Sequence, residues 1–175
     1  MEQEKHEAPI VNRVAQSSLV TLDLDKLYPA GARVEWDIKD QLFQGLILKE
    51  KEFRDFLKSH DWSQYQGQHI AIICSVDAVV PTWAYMLLAM HLAPHAAHVV
   101  FGDLKELERS IFQKALASLN IEEYRDAKVI IKGCGSVPVP ESAYVEVSSL
   151  LYGVAGSVMY GEPCSTVPLY KKKKP

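Results

Sequence analysis

The sequence predicts an α/β domain of three layers, in which a largely parallel sheet is covered by helices on both faces. From about residue 69, short apolar runs alternate with longer segments of helical periodicity. The apolar runs are IAIIC, HVVF, KVIIK and SVMY. Such alternation implies parallel strands joined by right-handed crossovers, as in flavodoxin-like and Rossmann-like folds.

Two segments before this region alternate apolar and polar residues, as half-exposed strands do. Their apolar positions are Val20, Leu22 and Leu24, followed by Val34, Trp36 and Ile38. The intervening LYPAGA contains turn-forming residues. The two segments therefore predict a small N-terminal antiparallel β hairpin.

Four helices are predicted. The first starts at Lys49, with Phe53, Phe56 and Leu57 on one face. Pro81 suits the first turn of the second helix, because an N–H there would lack a partner. Asp103 and Glu106 resemble a capping box at the start of the third. Residues 141–151 form the fourth.

Composition bounds the class of protein and its organisation. The chain has 175 residues and a formal net charge of −3, which indicates no general attraction to nucleic acid or membranes. We predict a disordered lead (1–9), a single α/β domain (10–170) and a basic, solvated tail (171–175). Within the domain, residues 10–48 form the β element and 49–170 the βα units. Without an apolar leader or a membrane-length segment, a cytoplasmic location is expected.

Two segments of the chain resemble each other. AIICSVDAVVPTWAY (71–85) and IIKGCGSVPVPESAY (130–144) each combine an apolar run, a cysteine, a loop and Val-Pro-x-x-Ala-Tyr. Matching the cysteines requires one gap. Part of the likeness follows from shared βα geometry, with proline in the first helical turn. That geometry does not explain a cysteine in each loop.

The three cysteines predict a site at one edge of the sheet. Cys74 ends one predicted strand, while Cys134 and Cys164 closely follow two others. Because the carboxyl ends of parallel strands share an edge, we expect the thiols to lie along it. Thiolates bind soft metals and iron–sulfur clusters, so an iron–sulfur cluster or zinc is the predicted cofactor. Asp77 and Glu162 are candidate additional ligands, although a structural zinc site would more often show a Cys-x₂₋₄-Cys knuckle.

Two alternatives need no metal. Cys134 or Cys164 could serve a thiol-based enzyme or a small-ligand site, since a helix N-terminus lowers a thiol's pKa. No histidine is obviously placed as its base, so enzymatic activity is left open. Alternatively, the cysteines are structural and the protein is a non-metal interaction protein. Neither a G-x-G-x-x-G nor a Walker A sequence is present.

Long phrases of the chain resemble a bacterial family, domain-of-unknown-function family 2480. They include VNRVAQSSLVTLDL, DIKDQLFQGLILKEKEFRDFLKSHDWSQY, KGCGSVPVPESAYVE and MYGEPCSTVPLYK. The resemblance covers nearly all of the chain after about residue 9. It implies a small cytoplasmic bacterial protein without an established activity or catalytic residues. It also implies gene neighbourhoods for iron–sulfur cluster assembly, and hence a protein partner in that process.

Overall fold

The computed structural model describes residues 19–133, 135 and 137–173. The strands in this part of the chain are β1 (Leu19–Asp23), β2 (Arg33–Asp37), β3 (Leu42–Phe43), β4 (Ile47–Leu48), β5 (His69–Ile73), β6 (His98–Phe101), β7 (Lys128–Lys132), β8 (Ser157–Glu162) and β9 (Ser165–Lys171). The α-helices are α1 (Glu50–Ser59), α2 (Thr82–Leu92), α3 (Leu104–Ala117) and α4 (Glu141–Leu151). None of the described helices is long and apolar enough to span a membrane.

The longer strands form two sheets. Sheet 1 has the order β2-β5-β6 and is entirely parallel. Sheet 2 has the order β1-β7-β8-β9, in which only β9 is antiparallel to its neighbour. Strands β3 and β4 form a separate two-stranded hairpin. The α/β class is confirmed, but the described strands do not form the single sheet expected from the sequence.

The predicted N-terminal hairpin is wrong in its pairing. Strands β1 and β2 exist, yet each lies parallel to a later strand in a different sheet, β1 beside β7 and β2 beside β5. An alternating pattern shows which side chains face the core, but it does not select the neighbouring strand. The helix beginning near Lys49 and the Asp103 cap are confirmed, with Asp103 Oδ1 accepting from the Glu106 N–H at 2.9 Å.

Sheet 1 is covered on both faces. Ile70 and Ile72 of β5 pack with Phe53 and Leu57 of α1, and with α2. Ala71 points to the opposite face because side chains alternate along a strand. There it packs against residues of α3, namely Leu107 and Ile111.

Helix α3 belongs to both cores. Next to its contacts with sheet 1, it contributes Phe112 and Leu116 to the core of sheet 2. The strand residues of this second core are Leu22, Val129, Ile131 and Val158, and α4 adds Ala143, Val147 and Leu151. One side of α3 therefore packs on sheet 1 and another on sheet 2.

The structure has two halves that repeat each other: β2 with the segment from α1 to Gly102, and β1 with the segment from α3 to Gly161. Between these two segments, equivalent residues keep one constant spacing along the chain without a gap. The pairs include Phe53 and Phe112, Tyr65 and Tyr124, Tyr85 and Tyr144, and Gly102 and Gly161. Helices α2 and α4 both have 11 residues, and β5–β6 and β7–β8 pair in equivalent register. Strands β1 and β2 occupy equivalent places, since Val20 lies beside Val129 and Val34 beside Ile70.

Local geometry follows the same repeat. A short 3-10 helix precedes β5 and another precedes β7, at Trp62–Tyr65 and at Ile121–Tyr124. Shortly after each of these helices the backbone turns with positive φ, at Gly67 (69°) and at Asp126 (57°). Asp tolerates this conformation better than most non-glycine residues. The chain thus enters β5 and β7 through equivalent turns.

Candidate functional site

The predicted site residues lie in different parts of the structure. Cys74 is half-buried directly after β5 of sheet 1, and its Sγ–H donates to Val76 O at 3.3 Å. Cys164 is exposed in the turn between β8 and β9 of sheet 2. Cys134 lies outside the described residues. The common edge that the prediction required is absent, because Cys74 belongs to one sheet and Cys164 to the other.

The proposed carboxylate ligands do not complete a site either. Asp77 is exposed in the loop after β5, whereas Glu162 ends β8, with Lys132 Nζ 3.9 Å from its Oε1. Across residues 19–133, 135 and 137–173, no group of three or more His, Cys, Asp or Glu side chains could hold a metal ion. The function built on a three-cysteine metal or iron–sulfur site is therefore wrong. The cofactor expected from the sequence, an iron–sulfur cluster or zinc and otherwise none, stays a prediction.

The cysteines are not equivalent within the structural repeat. At the spacing that relates the two halves, Cys74 corresponds to Gly133, and the alignment needs no gap. The sequence comparison that aligned Cys74 with Cys134 therefore placed the two loops one residue out of register. Cys164 precedes a strand, so the helix N-terminus invoked to activate a thiol is missing at that position.

The carboxyl end of sheet 1 is organised by Asp37. Its Oδ1 accepts from the backbone N–H groups of Lys39 and Ser75, both at 3.1 Å, and its Oδ2 lies 3.0 Å from Lys39 Nζ. Burial raises the pKa of Asp37, but the hydrogen bonds from Ser75 and Lys39 outweigh burial and lower it to about 2. A carboxylate with these donors is a weak base and ties the loop after β5 to β2.

Three histidines, His60, His69 and His98, have partners that serve the structure. His60 Nε2 lies 3.1 Å from Tyr65 Oη, His69 Nε2 lies 2.8 Å from Ala30 O, and His98 Nε2 lies 2.8 Å from Ser110 Oγ. None of these contacts involves a cysteine. The structure therefore supplies no histidine–thiol pair from these three side chains.

The feature that sequence reasoning missed is an exposed apolar surface on α2. The helix reads TWAYMLLAMHL and is apolar on all sides. Helices of that kind are normally buried all round. Ala84 and Leu88 are buried against sheet 1, but Met86 and Met90 are 64% and 72% exposed. These two methionines are one helical turn apart and share one face.

Strand β6 extends this surface. Phe101, at its end, is 67% exposed, and its ring packs edge-on against Tyr85 with centroids 5.0 Å apart. We call Tyr85, Met86, Met90 and Phe101 the α2 surface. The apolar, uncharged sequence of α2 was the signal that could have identified it.

More exposed apolar side chains lie near the start of α2. Hairpin β3–β4 contacts the loop before the helix, where Ile47 pairs with Val79 and the Val79 N–H donates to Leu46 O at 3.3 Å. Leu46, Ile47 and Val79 are all half or more exposed. Among the described residues, nine of the thirteen exposed large hydrophobic side chains lie between Phe43 and Leu104. Exposed apolar area is therefore concentrated in the first half.

Comparison with known proteins identifies the family. No curated protein and no solved structure matches the chain. One family model matches residues 8–172, which is nearly the whole sequence and confirms the resemblance seen in its long phrases. The chain belongs to the family described as "Protein of unknown function (DUF2480)".

Proposed function

We propose that this protein is a binding module for another protein, which docks on the α2 surface. The observation that carries the proposal is the exposure of Met86 and Met90 on a helix without charged residues. Contiguous exposed apolar patches on soluble proteins commonly mark interaction sites. Methionine and aromatic side chains are enriched in the cores of such interfaces.

The second half shows that the fold does not require this apolar face. Helix α4 occupies the place of α2 and packs on sheet 2 in the same way. Its residues at the places of Met86 and Met90 are Val145 and Ser149, and its sequence ESAYVEVSSLL includes two glutamates and three serines. The exposed residues of α4 are Glu141, Val145 and Ser149, so the same packing is compatible with an outer face that is only partly apolar. The apolar face of α2 therefore needs a cause other than folding.

Side-chain chemistry fits a protein partner. Methionine is flexible and polarisable, so Met86 and Met90 can adapt to an apolar partner surface. Tyr85 and Phe101 provide two rigid rings beside them. A mixture of adaptable and rigid apolar side chains is typical of sites that bind other proteins.

Site-specific crosslinking tests the proposal. A photoreactive amino acid is placed at Met90, or at the exposed Lys51 of α1 as a control, in cells that produce the protein. We expect a crosslink to a different protein from position 90 and none from position 51. The captured protein is then purified and titrated with the variants Met90→Glu and Val145→Glu, which change residues of similar exposure.

The expected result is a loss of affinity of at least tenfold for Met90→Glu and less than twofold for Val145→Glu. The absence of a crosslink at position 90, or equal losses for both variants, would contradict the proposal. A crosslink only to a second copy of this chain would also contradict it.

A further inference from the structure

The two sheets differ at one edge. In sheet 2, β9 pairs antiparallel with β8. In sheet 1, β6 occupies the place of β8, and no described strand pairs with its outer edge. The position that β9 fills in one half is therefore unoccupied by any described strand of the other half.

Backbone groups of β6 are directed toward this open position. The Gly102 N–H donates to Ile72 O at 3.0 Å, on the side of β5. Because the peptide group is planar and trans, the Phe101 C=O points the opposite way. Alternation along the strand also directs the N–H and C=O of Val99 outward. These groups are the hydrogen-bonding partners that an added strand needs.

A strand added at the edge buries the side chains of its neighbour, as a comparison of β8 with β6 shows. Val158 of β8 is 2% exposed and Tyr160 is half-buried where β9 covers them. At the equivalent places of β6, Val99 is only half-buried and Phe101 is 67% exposed. Both strands carry the same kinds of side chain, but only β8 has its partner strand.

The outer edges also differ in protection against pairing. Proteins commonly protect exposed edges with proline, lysine or a β-bulge. Strand β9 contains Pro168 and Lys171, and its pairing with β8 is irregular between Val158 and Met159. Strand β6 reads HVVF and contains neither proline nor lysine. The composition of β6 therefore leaves its outer edge able to pair with an added strand.

We propose that the partner contributes an extended strand that pairs antiparallel with β6, as β9 pairs with β8. The proposal rests on the α2 surface as a protein-binding site and adds how the partner is held. In sheet 2, Val167 lies opposite Tyr160 and Tyr170 opposite Val158. The partner strand accordingly places apolar side chains opposite Phe101 and Val99. Main-chain hydrogen bonds supply affinity in this mode, and the side-chain positions supply specificity.

A synthetic peptide with the sequence of β9, STVPLYK, is the probe, because this strand already fits the equivalent edge. It is titrated into the isotope-labelled full-length protein and followed by NMR. We expect saturable shifts at Val99, Phe101 and the α2 surface, with slower amide exchange at Val99 and Phe101. A peptide of the same composition in scrambled order should leave these signals unchanged.

Two variants of matched exposure sharpen the test. Phe101→Lys places a charge at the β6 edge, and Val145→Lys places one on α4; the parent residues are 67% and 68% exposed. We expect at least a tenfold loss of peptide affinity for Phe101→Lys and less than a twofold change for Val145→Lys. Because both side chains are largely exposed, both variants should fold, which the dispersion of their NMR spectra verifies.

Several outcomes would overturn the strand-pairing mode. They are equal binding of the scrambled peptide, shifts confined to residues away from β6, and equal losses for the two variants. Shifts at β6 that grow with protein concentration without peptide would assign the edge to a second copy instead. If the partner captured at Met90 binds normally to Phe101→Lys, strand pairing fails while docking at Met86 and Met90 stands. If β6 binds the peptide but no partner crosslinks at Met90, the proposed function fails instead.

Discussion

Arg33 Nε lies 3.0 Å from Glu108 Oε1, and this ion pair joins β2 of sheet 1 to α3. Both side chains are largely buried, with 13% and 15% exposed. Tyr28 adds two contacts: its hydroxyl donates to Glu108 Oε1 at 3.1 Å, and its ring lies 3.9 Å from the Arg33 guanidinium carbon. The cluster fastens sheet 1 to the helix that also forms the core of sheet 2.

Replacing Glu108 with Gln should lower the free energy of unfolding by about 3 kcal/mol, because it leaves the Arg33 charge buried without its counterion. Urea denaturation at pH 7 measures the change. The double variant Arg33→Met, Glu108→Leu should recover part of the loss, since it removes both charges.

An exposed ion pair provides the control. Arg125 Nη2 lies 2.6 Å from Glu122 Oε2, but the two side chains are 53% and 64% exposed. Glu122→Gln should cost less than about 1 kcal/mol. If Glu108→Gln also lowered the free energy of unfolding by less than about 1 kcal/mol, the buried pair would not fasten α3.

Asp37→Asn should destabilise the protein at neutral pH but not in strong acid. The pKa of Asp37 is lowered from 3.8 to about 2 in the folded state. The charged form therefore stabilises the fold by about 2 kcal/mol above pH 4, and this contribution disappears as the pH falls toward 2. Urea denaturation of both proteins between pH 7 and pH 2 should show the difference shrinking. Asp77→Asn, at an exposed position of the neighbouring loop, is the control and should leave the free energy of unfolding at pH 7 unchanged.

The repeat predicts matched effects in the two cores. Phe53 and Phe112 are equivalent, and they are 1% and 0% exposed. Replacing either with Ala should cost about 3–5 kcal/mol. Since α3 contributes to both cores, calorimetry of each variant should show one unfolding transition. Two separated transitions, or a loss from only one of the two variants, would contradict the coupling of the halves.

Much of the secondary structure could be predicted from local patterns. The strands β5 to β8 are continuous apolar runs, and the Phe53, Leu107 and Val147 faces follow helical periodicity. Pairing was harder, because β1 and β2 join strands that lie far away along the chain and no local signal specifies which. Strand β9 was missed because Pro168 interrupts its strand pattern. Within a sheet, proline is found mainly in edge strands, and the sequence does not show that β9 is one.

The candidate site was mispredicted for a physical reason. Placing Cys74 and Cys164 at one edge assumed a single sheet, whereas α3 packs between two. Aligning the two similar segments by their cysteines also required a gap, whereas the constant spacing of the repeat aligns Cys74 with Gly133 without one. Exposure of Met86 depends on what packs around α2, and sequence alone does not show that for an entirely apolar helix.

His98 should make stability depend on pH below about 6.5. Burial lowers its pKa below 6.5, and the nearby charges of Lys114 and His69 lower it further. The unfolded chain therefore takes up a proton more readily, and the contribution to stability that is complete above pH 6.5 is lost as the pH falls through the folded-state pKa. His98→Gln should reduce this loss between pH 7 and pH 5 in urea denaturation. Lys114→Met should raise the NMR titration midpoint of His98 toward 6.5, and a midpoint at or above 6.5 in the unmodified protein would contradict the prediction.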